Sequence, residues 1–242
     1  IFVGTLDSFL YSIDACTGEV DLNFNNGGKV NLLEGLGRAI NNDHYGVNSP
    51  PLVCKDTVVV GSSVMDYPAQ YLDATSMAPG DVRAYDAITG QLKWQFHVIP
   101  HEGEFGADTW KNTSYLEGAG VNVWSTFSCD EELGMVYLPL TTPTNDHFGG
   151  DRLGDNLFAE SVVALDIETG DRKWHFQTVH HGLWDYDLPA APNLVDVTTE
   201  AGTEKLLAQI TKQAFLFVFN RETGQPKWPI TETPVPQSTV TG

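Results

Sequence analysis

The stretch Asp86-Ala-Ile-Thr-Gly90-Gln-Leu-Lys-Trp94 recurs along the chain. It returns as Asp166-Ile-Glu-Thr-Gly170-Asp-Arg-Lys-Trp174 and again as Asn220-Arg-Glu-Thr-Gly224-Gln-Pro-Lys-Trp228. A degenerate copy, Asp14-Ala-Cys-Thr-Gly18, opens the chain and has Phe24 where the other copies carry tryptophan. Self-similarity at an interval of tens of residues is the signature of repeat architectures. The chain is therefore predicted to contain several copies of one structural unit.

Each copy is predicted to form a β-hairpin. An alternating apolar strand leads into the Asp or Asn residue, whose side chain caps the turn, and the glycine supplies a positive φ. The second strand carries the tryptophan, which is free to pack on a neighbouring unit. A single x-x-Thr-Gly turn would be commonplace. Because three of the four copies place tryptophan four residues after glycine, the pattern indicates a true repeat.

The repeat favours an all-β fold, a β-propeller with four-stranded blades. The Asp or Asn residues at positions 14, 86, 166 and 220 are 72, 80 and 54 residues apart. Roughly a dozen short strands and no helical periodicity fit this architecture. An immunoglobulin-type sandwich fits less well, because it would not repeat itself. About three to four blades fit in the chain, so residues 1–242 are interpreted as one domain, a partial propeller from a longer protein. Trp94 and Trp174 are expected to lie wedged between adjacent blades.

Composition excludes two classes of partner. A net charge of −19 argues against nucleic acid and against anionic membrane surfaces. No run of 18 apolar residues is present, so nothing in the chain is predicted to span a bilayer. The three cysteines have no metal-binding spacing and are interpreted as small core residues, without a disulfide. They are Cys16, Cys54 and Cys129.

Three loop stretches are candidates for a functional site, since propeller function concentrates where loops converge on the axis. Gly61-Ser-Ser-Val-Met-Asp66 places hydroxyls and a carboxylate at a strand end, and Asn122-Val-Trp124 offers an indole on which a planar ligand could stack. His180-His-Gly-Leu-Trp-Asp185-Tyr-Asp187 combines two imidazoles with two carboxylates. Each stretch also has an ordinary structural account, as a strand end, a core tryptophan or a turn cap.

The adjacent histidines do not indicate zinc. Neighbouring residues of an extended chain point apart, and no third ligand follows at a suitable spacing. Oxygen-rich loops suit a hard cation such as calcium better than a transition metal.

The repeated signature resembles the tryptophan-docking motif of the quinoprotein dehydrogenases that use pyrroloquinoline quinone (PQQ). The resemblance covers essentially the whole chain and points to the membrane-bound glucose dehydrogenase branch rather than the methanol dehydrogenase branch. It implies an eight-bladed periplasmic propeller with PQQ and Ca²⁺ on its axis, of which this chain resembles the N-terminal half without the first blade. Further supporting stretches are Gly4–Leu10, Asn48–Pro51, Gly61–Ser63, Tyr137–Pro139, His180–Ala190 and Pro234–Gln237.

Residue roles follow from this resemblance. Asp185 matches the catalytic base of the family, and Lys212 matches the basic residue that bonds the ortho-quinone oxygens. Trp124 matches the aromatic floor under the PQQ ring. Ser63 and Asn48 match positions that hold PQQ carboxylates, although the family more often has Thr where Asn48 stands.

The calcium ligands implied by the resemblance are Asp66, Thr142 and Asp185. Two departures from the family pattern affect this set. Tyr67 stands where the glucose branch can offer Asn, and Thr142 stands where the methanol branch has a ligand Asn.

The implied activity is oxidation of an alcohol group of a sugar or polyol, with electrons passing to PQQ and on to ubiquinone or a cytochrome. Any membrane anchor would lie outside this chain. The alternatives are a non-catalytic β-propeller scaffold that binds a partner protein, and an inactive half-propeller that cannot hold PQQ. A scaffold has no reason to bring Asp66, Trp124, Asp185 and Lys212 together. An enzyme is therefore expected to place these four residues on one face near the axis.

Overall fold

The computed structural model describes residues 1–64, 77–200, 202–236 and 239, and this part of the chain is built almost entirely from β-strands. Its helical segments are short 3₁₀ turns at Asn42–His44, Ala107–Thr109 and Lys111–Leu116. None of the helical segments described has the length or hydropathy needed to cross a bilayer. The strands are β1 (Phe2–Gly4), β2 (Phe9–Ser12), β3 (Lys29–Asn31), β4 (Tyr45–Gly46), β5 (Leu52–Cys54), β6 (Thr57–Val60), β7 (Ser63–Val64), β8 (Val82–Asp86), β9 (Leu92–Phe96), β10 (Ser128–Asp130), β11 (Met135–Pro139), β12 (Ser161–Asp166), β13 (Arg172–Gln177), β14 (Asn193–Thr199), β15 (Gly202–Ile210) and β16 (Leu216–Asn220).

The strands form antiparallel sheets that follow one another along the chain as blades. The first blade is β1-β2-β3, the second β5-β6-β8-β9, the third β10-β11-β12-β13 and the fourth β14-β15-β16, and β4 pairs with β7 beside the second blade. Each blade contains one copy of the repeated stretch. The prediction of an all-β partial propeller is confirmed.

Each repeated stretch forms the predicted hairpin turn. The Asp86 carboxylate accepts hydrogen bonds from the backbone N–H groups of Ile88 (3.1 Å) and Thr89 (2.7 Å). Hydrogen bonds from Thr89 hold the pKa of Asp86 below its usual value. The same pair of backbone contacts recurs at Asp14, Asp166 and Asn220.

The tryptophan of one blade packs on the glycine of the next. Trp94 is 6% exposed, and its indole N–H donates to the carbonyl of Ile167 at 2.8 Å. A Cβ on Gly170 would lie only 2.8 Å from this indole, so only glycine permits the contact. Trp174 repeats the arrangement against Gly224 in the fourth blade. Both tryptophans therefore lie where the sequence predicts, between adjacent blades.

We expect Gly170→Ala to destabilise the protein more than Gly18→Ala. Both glycines have nearly the same positive φ (75° and 76°), which costs alanine about 1–2 kcal/mol. A Cβ at Gly18 would have nothing within 4 Å, whereas at Gly170 it would collide with Trp94. Overpacking of this kind typically adds about 1–3 kcal/mol. Urea denaturation of the two full-length variants measures the difference, and equal losses would show that the glycine–indole contact contributes nothing.

The cysteine interpretation is correct in placing Cys54 in the core, but it fails to infer a disulfide and misplaces Cys16. Cys54 and Cys129 form a disulfide with a Cα–Cα distance of 6.2 Å, and Cys16 is exposed rather than in the core. The bond joins β5 to β10, the first strands of the second and third blades. These strands are 75 residues apart in sequence and become neighbours only because consecutive blades stack side by side. The spacing of the cysteines in the sequence therefore could not predict this disulfide.

Candidate active site

The predicted site residues lie at one rim of the blades. In an antiparallel blade, the start of the first strand, the end of the second and the end of the fourth share one edge. Trp124 precedes β10, Thr142 follows β11 and Asp185 follows β13, while Lys212 follows β15 of the fourth blade. In the second and third blades the Thr-Gly turns connect the third and fourth strands and therefore occupy the opposite rim. The candidate site residues thus lie at one rim, and the turn residues that fix blade packing lie at the other.

Asp185 and Lys212 are in direct contact. The Lys212 Nζ lies 3.1 Å from Asp185 Oδ2 and donates a hydrogen bond of 2.8 Å to the backbone carbonyl of Asp185. Asp185 adopts a left-handed backbone conformation (φ 53°), which is uncommon outside glycine. Asp185 adopts this conformation within the loop that follows β13 and reaches the rim. Its side chain remains 47% exposed, so the carboxylate is accessible to a small substrate.

Asp187 joins the other predicted residues around the same point. Its Oδ2 accepts a hydrogen bond of 3.1 Å from the Trp124 indole and lies 3.3 Å from Lys212 Nζ. Its Oδ1 accepts from the backbone N–H of Thr142 at 2.7 Å. Asp187 is 12% exposed in its side chain, in contrast to Asp185. The two carboxylates of this loop therefore differ: one is enclosed by protein contacts and the other faces outward.

Lys212 carries a firmly held positive charge. Burial opposes this charge, but Asp187 and Asp185 outweigh the effect of burial and hold the pKa of Lys212 above its usual value. The site therefore presents an ammonium group that shares the Asp187 carboxylate with the Trp124 indole N–H.

Ser63 and Asn48 reach the same region through short β-pairing. Gly46 of β4 pairs with Ser63 of β7, and exposed Asn48 follows two residues after Gly46. The backbone N–H of Ser62 donates to the carbonyl of Val123 at 3.2 Å, immediately before Trp124. The structure thus connects the Ser63 segment to the Trp124 segment by backbone contacts.

The predicted convergence holds for Trp124, Asp185 and Lys212, which meet through Asp187. Asp66, the fourth member of that set, lies outside the residues that the structure describes, and so does Tyr67.

Glu160 belongs to the site although sequence reasoning missed it. It is fully buried, and its Oε1 accepts a hydrogen bond of 3.3 Å from the Thr142 hydroxyl. Burial raises the pKa of Glu160 to about 7; the Arg152 guanidinium opposes this rise and the charge of Asp187 adds to it. Gly182 lies against the same carboxylate, where a side chain would collide with it. In sequence, Glu160 is simply a polar residue before an apolar strand, so only tertiary contact identifies it.

The histidine pair has structural contacts. The ring N–H of His181 donates through Nδ1 to the carbonyl of Gly154 at 2.7 Å. The His180 ring lies against the side chains of Gln177 and Glu232 at 2.9 and 3.3 Å. The two rings thus hold the loop that carries Asp185.

Unsatisfied polar atoms show that the rim suits a polar planar ligand. Within the described ranges, several side-chain oxygens near Trp124 are buried without a hydrogen-bond partner, a costly arrangement unless a ligand or water completes it. The two serine hydroxyls among them can donate, so together with the Lys212 ammonium they fit a flat ligand that carries carboxylates and carbonyl oxygens, as PQQ does. The amide and carboxylate oxygens only accept, so they would need a hydrogen-bond donor or a cation. The four oxygens are Ser62 Oγ, Asn122 Oδ1, Ser125 Oγ and Glu160 Oε2.

Fold and site together define a β-propeller with a polar site that includes an indole at one rim, and comparisons with known proteins give its family. The model of the PQQ family described as glucose/ethanol/alcohol dehydrogenase, β-propeller domain, matches residues 1–242. The chain belongs to this family.

Three similar proteins illustrate the relationship. The quinate/shikimate dehydrogenase (quinone) of Acinetobacter baylyi is 35% identical over 100% of this chain and 29% of its own length. Quinoprotein glucose dehydrogenase A of Acinetobacter calcoaceticus has the same identity and the same two coverages. The crystal structure of quinohemoprotein alcohol dehydrogenase from Comamonas testosteroni superposes with a TM-score of 0.77 at 28% identity, covering 97% of this chain and 34% of that one. The chain thus spans about three tenths of the length of the curated relatives it matches.

Proposed function

We propose that the protein containing this chain is a PQQ-dependent dehydrogenase that oxidises an alcohol group of a sugar or polyol. The observation that carries this proposal is the contact of Lys212 with both Asp185 and Asp187 beside the Trp124 indole. A proton acceptor, a cation and an aromatic platform are the groups that oxidation of an alcohol by a planar quinone requires. The names of the relatives, which include glucose, quinate/shikimate and glycerol dehydrogenases, support the sugar or polyol class.

The residues that would hold the cofactor follow from their chemistry. Trp124 would form the floor under the ring system, Lys212 would contact the quinone oxygens, and Ser63 with Asn48 would hold carboxylates. When bound, PQQ supplies a two-electron acceptor and Ca²⁺ supplies Lewis-acid polarisation of its quinone oxygen.

Calcium would be held by Asp66, Thr142 and Asp185, three oxygen donors of the kind that this ion prefers. Thr142 is compatible with this role, because its hydroxyl proton is directed to Glu160 and leaves the oxygen lone pairs free to face a cation. The buried Glu160 would thus orient a ligand rather than bind the ion itself.

Asp185 would accept the proton of the substrate hydroxyl. Its exposed carboxylate is held at the rim by Lys212 and by the strained loop backbone. Lys212 would stabilise negative charge that develops during the transfer, which is the usual role of a preorganised cation in an active site. Asp187 would position Lys212 and the indole without taking part in proton transfer. Both of its carboxylate oxygens already have partners within the protein.

The proposed location is the periplasm, with ubiquinone or a cytochrome as the electron acceptor. The Cys54–Cys129 disulfide supports an oxidising compartment, in which such bonds persist. A quinone acceptor agrees with the name of the quinate/shikimate relative.

Replacement of Lys212 tests the assignment. We expect Lys212→Ala to lower turnover by roughly 10²-fold, the usual loss when one stabilising donor is removed, and to weaken PQQ binding. Dye-linked oxidation of glucose, glycerol and quinate by the full-length protein reconstituted with PQQ and Ca²⁺ measures the effect. Lys111→Ala is the matched control, because Lys111 is exposed and its ammonium contacts only a nearby backbone carbonyl among its described contacts. If the wild-type protein neither binds PQQ nor oxidises any of these alcohols, the scaffold alternative replaces this proposal.

A further inference from the structure

A second group of ligand-type side chains lies on the loop that follows β9, the fourth strand of the second blade. One ligand atom each from His97, His101 and Glu104 lies within 4.8 Å of the others. In the part of the chain that the structure describes, this is the one group of three or more His, Cys, Asp or Glu residues with such spacing. None of the three has a part in the proposed dehydrogenase chemistry.

The loop holds these side chains together before any ion is bound. Glu104 lies 2.9 Å from Nδ1 of His97 and also accepts a hydrogen bond of 2.7 Å from the backbone N–H of His101. The backbone N–H of Glu104 in turn donates to the carbonyl of His101 at 3.0 Å, which closes a tight turn. The carboxylate is thereby fixed beside the His97 ring and the His101 backbone.

The two imidazole rings face each other. The centroids of His97 and His101 are 3.7 Å apart, and the ring planes differ by 18°. The stack therefore brings one ligand nitrogen of each ring close to the other.

Buried Asp81 supplies negative charge behind the cluster. Its carboxylate accepts hydrogen bonds from the backbone N–H of Val98 (3.2 Å) and from the Gln95 amide (2.8 Å). Burial raises the pKa of Asp81, and positive charge on His97 or His101 opposes that rise. A cation bound by the histidines would likewise favour the ionised form of Asp81.

We propose that His97, His101 and Glu104 bind a divalent transition metal ion of the zinc class. Two imidazoles and one carboxylate form the ligand set of open zinc sites, in which water takes the fourth position. Imidazole ligands select against calcium and magnesium, which take oxygen ligands, so this site and the proposed calcium site would bind different ions. Exposure of His101 and Glu104 leaves room for the water ligand.

Binding requires a small rearrangement of the loop. On a tetrahedral ion with bonds of ~2.0–2.1 Å, neighbouring donor atoms lie about 3.3 Å apart, so the cluster must contract by up to roughly 1.5 Å. The imidazoles must also turn out of their stack, because each lone pair lies in the plane of its ring. His101 is exposed and free to turn, and the ion would replace the hydrogen bond between His97 and Glu104.

Zinc titration of the full-length protein tests the site. The protein is kept in excess Ca²⁺, which occupies oxygen-ligand sites, and Zn²⁺ is titrated against a chromophoric chelator. We expect the wild type to bind one equivalent that His101→Ala and Glu104→Gln each weaken by at least ~10-fold. The matched control is His147→Ala, which removes an exposed histidine from another loop. X-ray absorption at the zinc edge should then show two imidazoles and additional oxygen ligands.

Two results would overturn the proposal. If the wild type takes up no equivalent of Zn²⁺ beyond that bound by His101→Ala/Glu104→Gln, the cluster is a hydrogen-bonded turn and nothing more. If His147→Ala lowers zinc affinity as much as His101→Ala does, the ion binds surface histidines without a defined site. Circular dichroism of each variant separates loss of zinc from loss of folding.

Discussion

Replacing Asp185 with asparagine is expected to leave PQQ bound while lowering alcohol oxidation by roughly 10²–10⁴-fold, the usual loss when a general base is removed. Asparagine has nearly the same shape, and its carbonyl oxygen can still contact Lys212 and a calcium ion. The second contact of Lys212, to the backbone carbonyl of residue 185, does not depend on the side chain at all. What the amide cannot do is accept the proton of the substrate hydroxyl. Binding and catalysis should therefore separate in this variant.

Two measurements on the full-length protein reveal that separation. Absorbance of the reconstituted protein gives the PQQ content, and dye-linked turnover gives the rate. Asp108→Asn is the matched control, since Asp108 is exposed in a loop remote in sequence from Asp185. Full activity of Asp185→Asn would remove Asp185 as the base. Loss of bound PQQ in parallel with loss of activity would instead make Asp185 a residue that holds the cofactor or its metal.

The second large effect is expected on stability, at the seam between the third and fourth blades. Arg221 donates through Nε to Asp130 Oδ2 at 2.6 Å, and its Nη1 lies 2.7 Å from Asp196 Oδ1. The Arg221 and Asp130 side chains are both buried. Arg221→Leu would leave the Asp130 carboxylate buried without its partner, and breaking a buried pair in this way costs about 3–5 kcal/mol. The free energy of unfolding measured by urea denaturation should therefore fall more than for almost any other single substitution outside the core.

A surface pair provides the comparison. Lys93 and Glu168 also join two blades, at 2.6 Å, but Glu168 is half exposed, so Glu168→Gln should cost no more than about 1 kcal/mol. The double variant Arg221→Leu/Asp130→Leu should recover much of the loss, because no buried charge is then left unpaired in the seam. Asp196, the other partner of Arg221, is 53% exposed and stays solvated. Equal effects of Arg221→Leu and Glu168→Gln would mean that water reaches the seam and screens the buried pair.

Local features of the fold were accessible from the sequence. The Asp86 turn, the positive φ of its glycine and the packing of Trp94 on the next unit all follow from a motif of nine residues. The copies of this motif made the prediction of a repeated hairpin stronger than one copy could, because each copy alone is a weak signal and all of them agree. The propeller could therefore be predicted before any contact was known.

Features that depend on contact between distant segments were not accessible in the same way. Glu160 enters the site only because Thr142 and Gly182 close around it, and neither position predicts the other. The partner of Cys54 was equally hidden. Asp185, Lys212 and Trp124 were identified through resemblance to a family, and the structure explains their proximity through Asp187, which the residue pattern alone assigned to a turn cap.

Asp187 receives its hydrogen bonds from segments that belong to different blades: Trp124 and Thr142 at the third, Lys212 at the fourth. The distance between Lys212 and Trp124 thus depends on the angle between the third and fourth blades. A change in that angle, caused by a substitution at a distant tryptophan or glycine contact, would move Lys212 and Trp124 relative to each other without touching either. We therefore expect such a variant to lose turnover at temperatures below the onset of its unfolding. A displacement of a few tenths of an ångström at the seam is enough to slow proton transfer but too small to disrupt the strands.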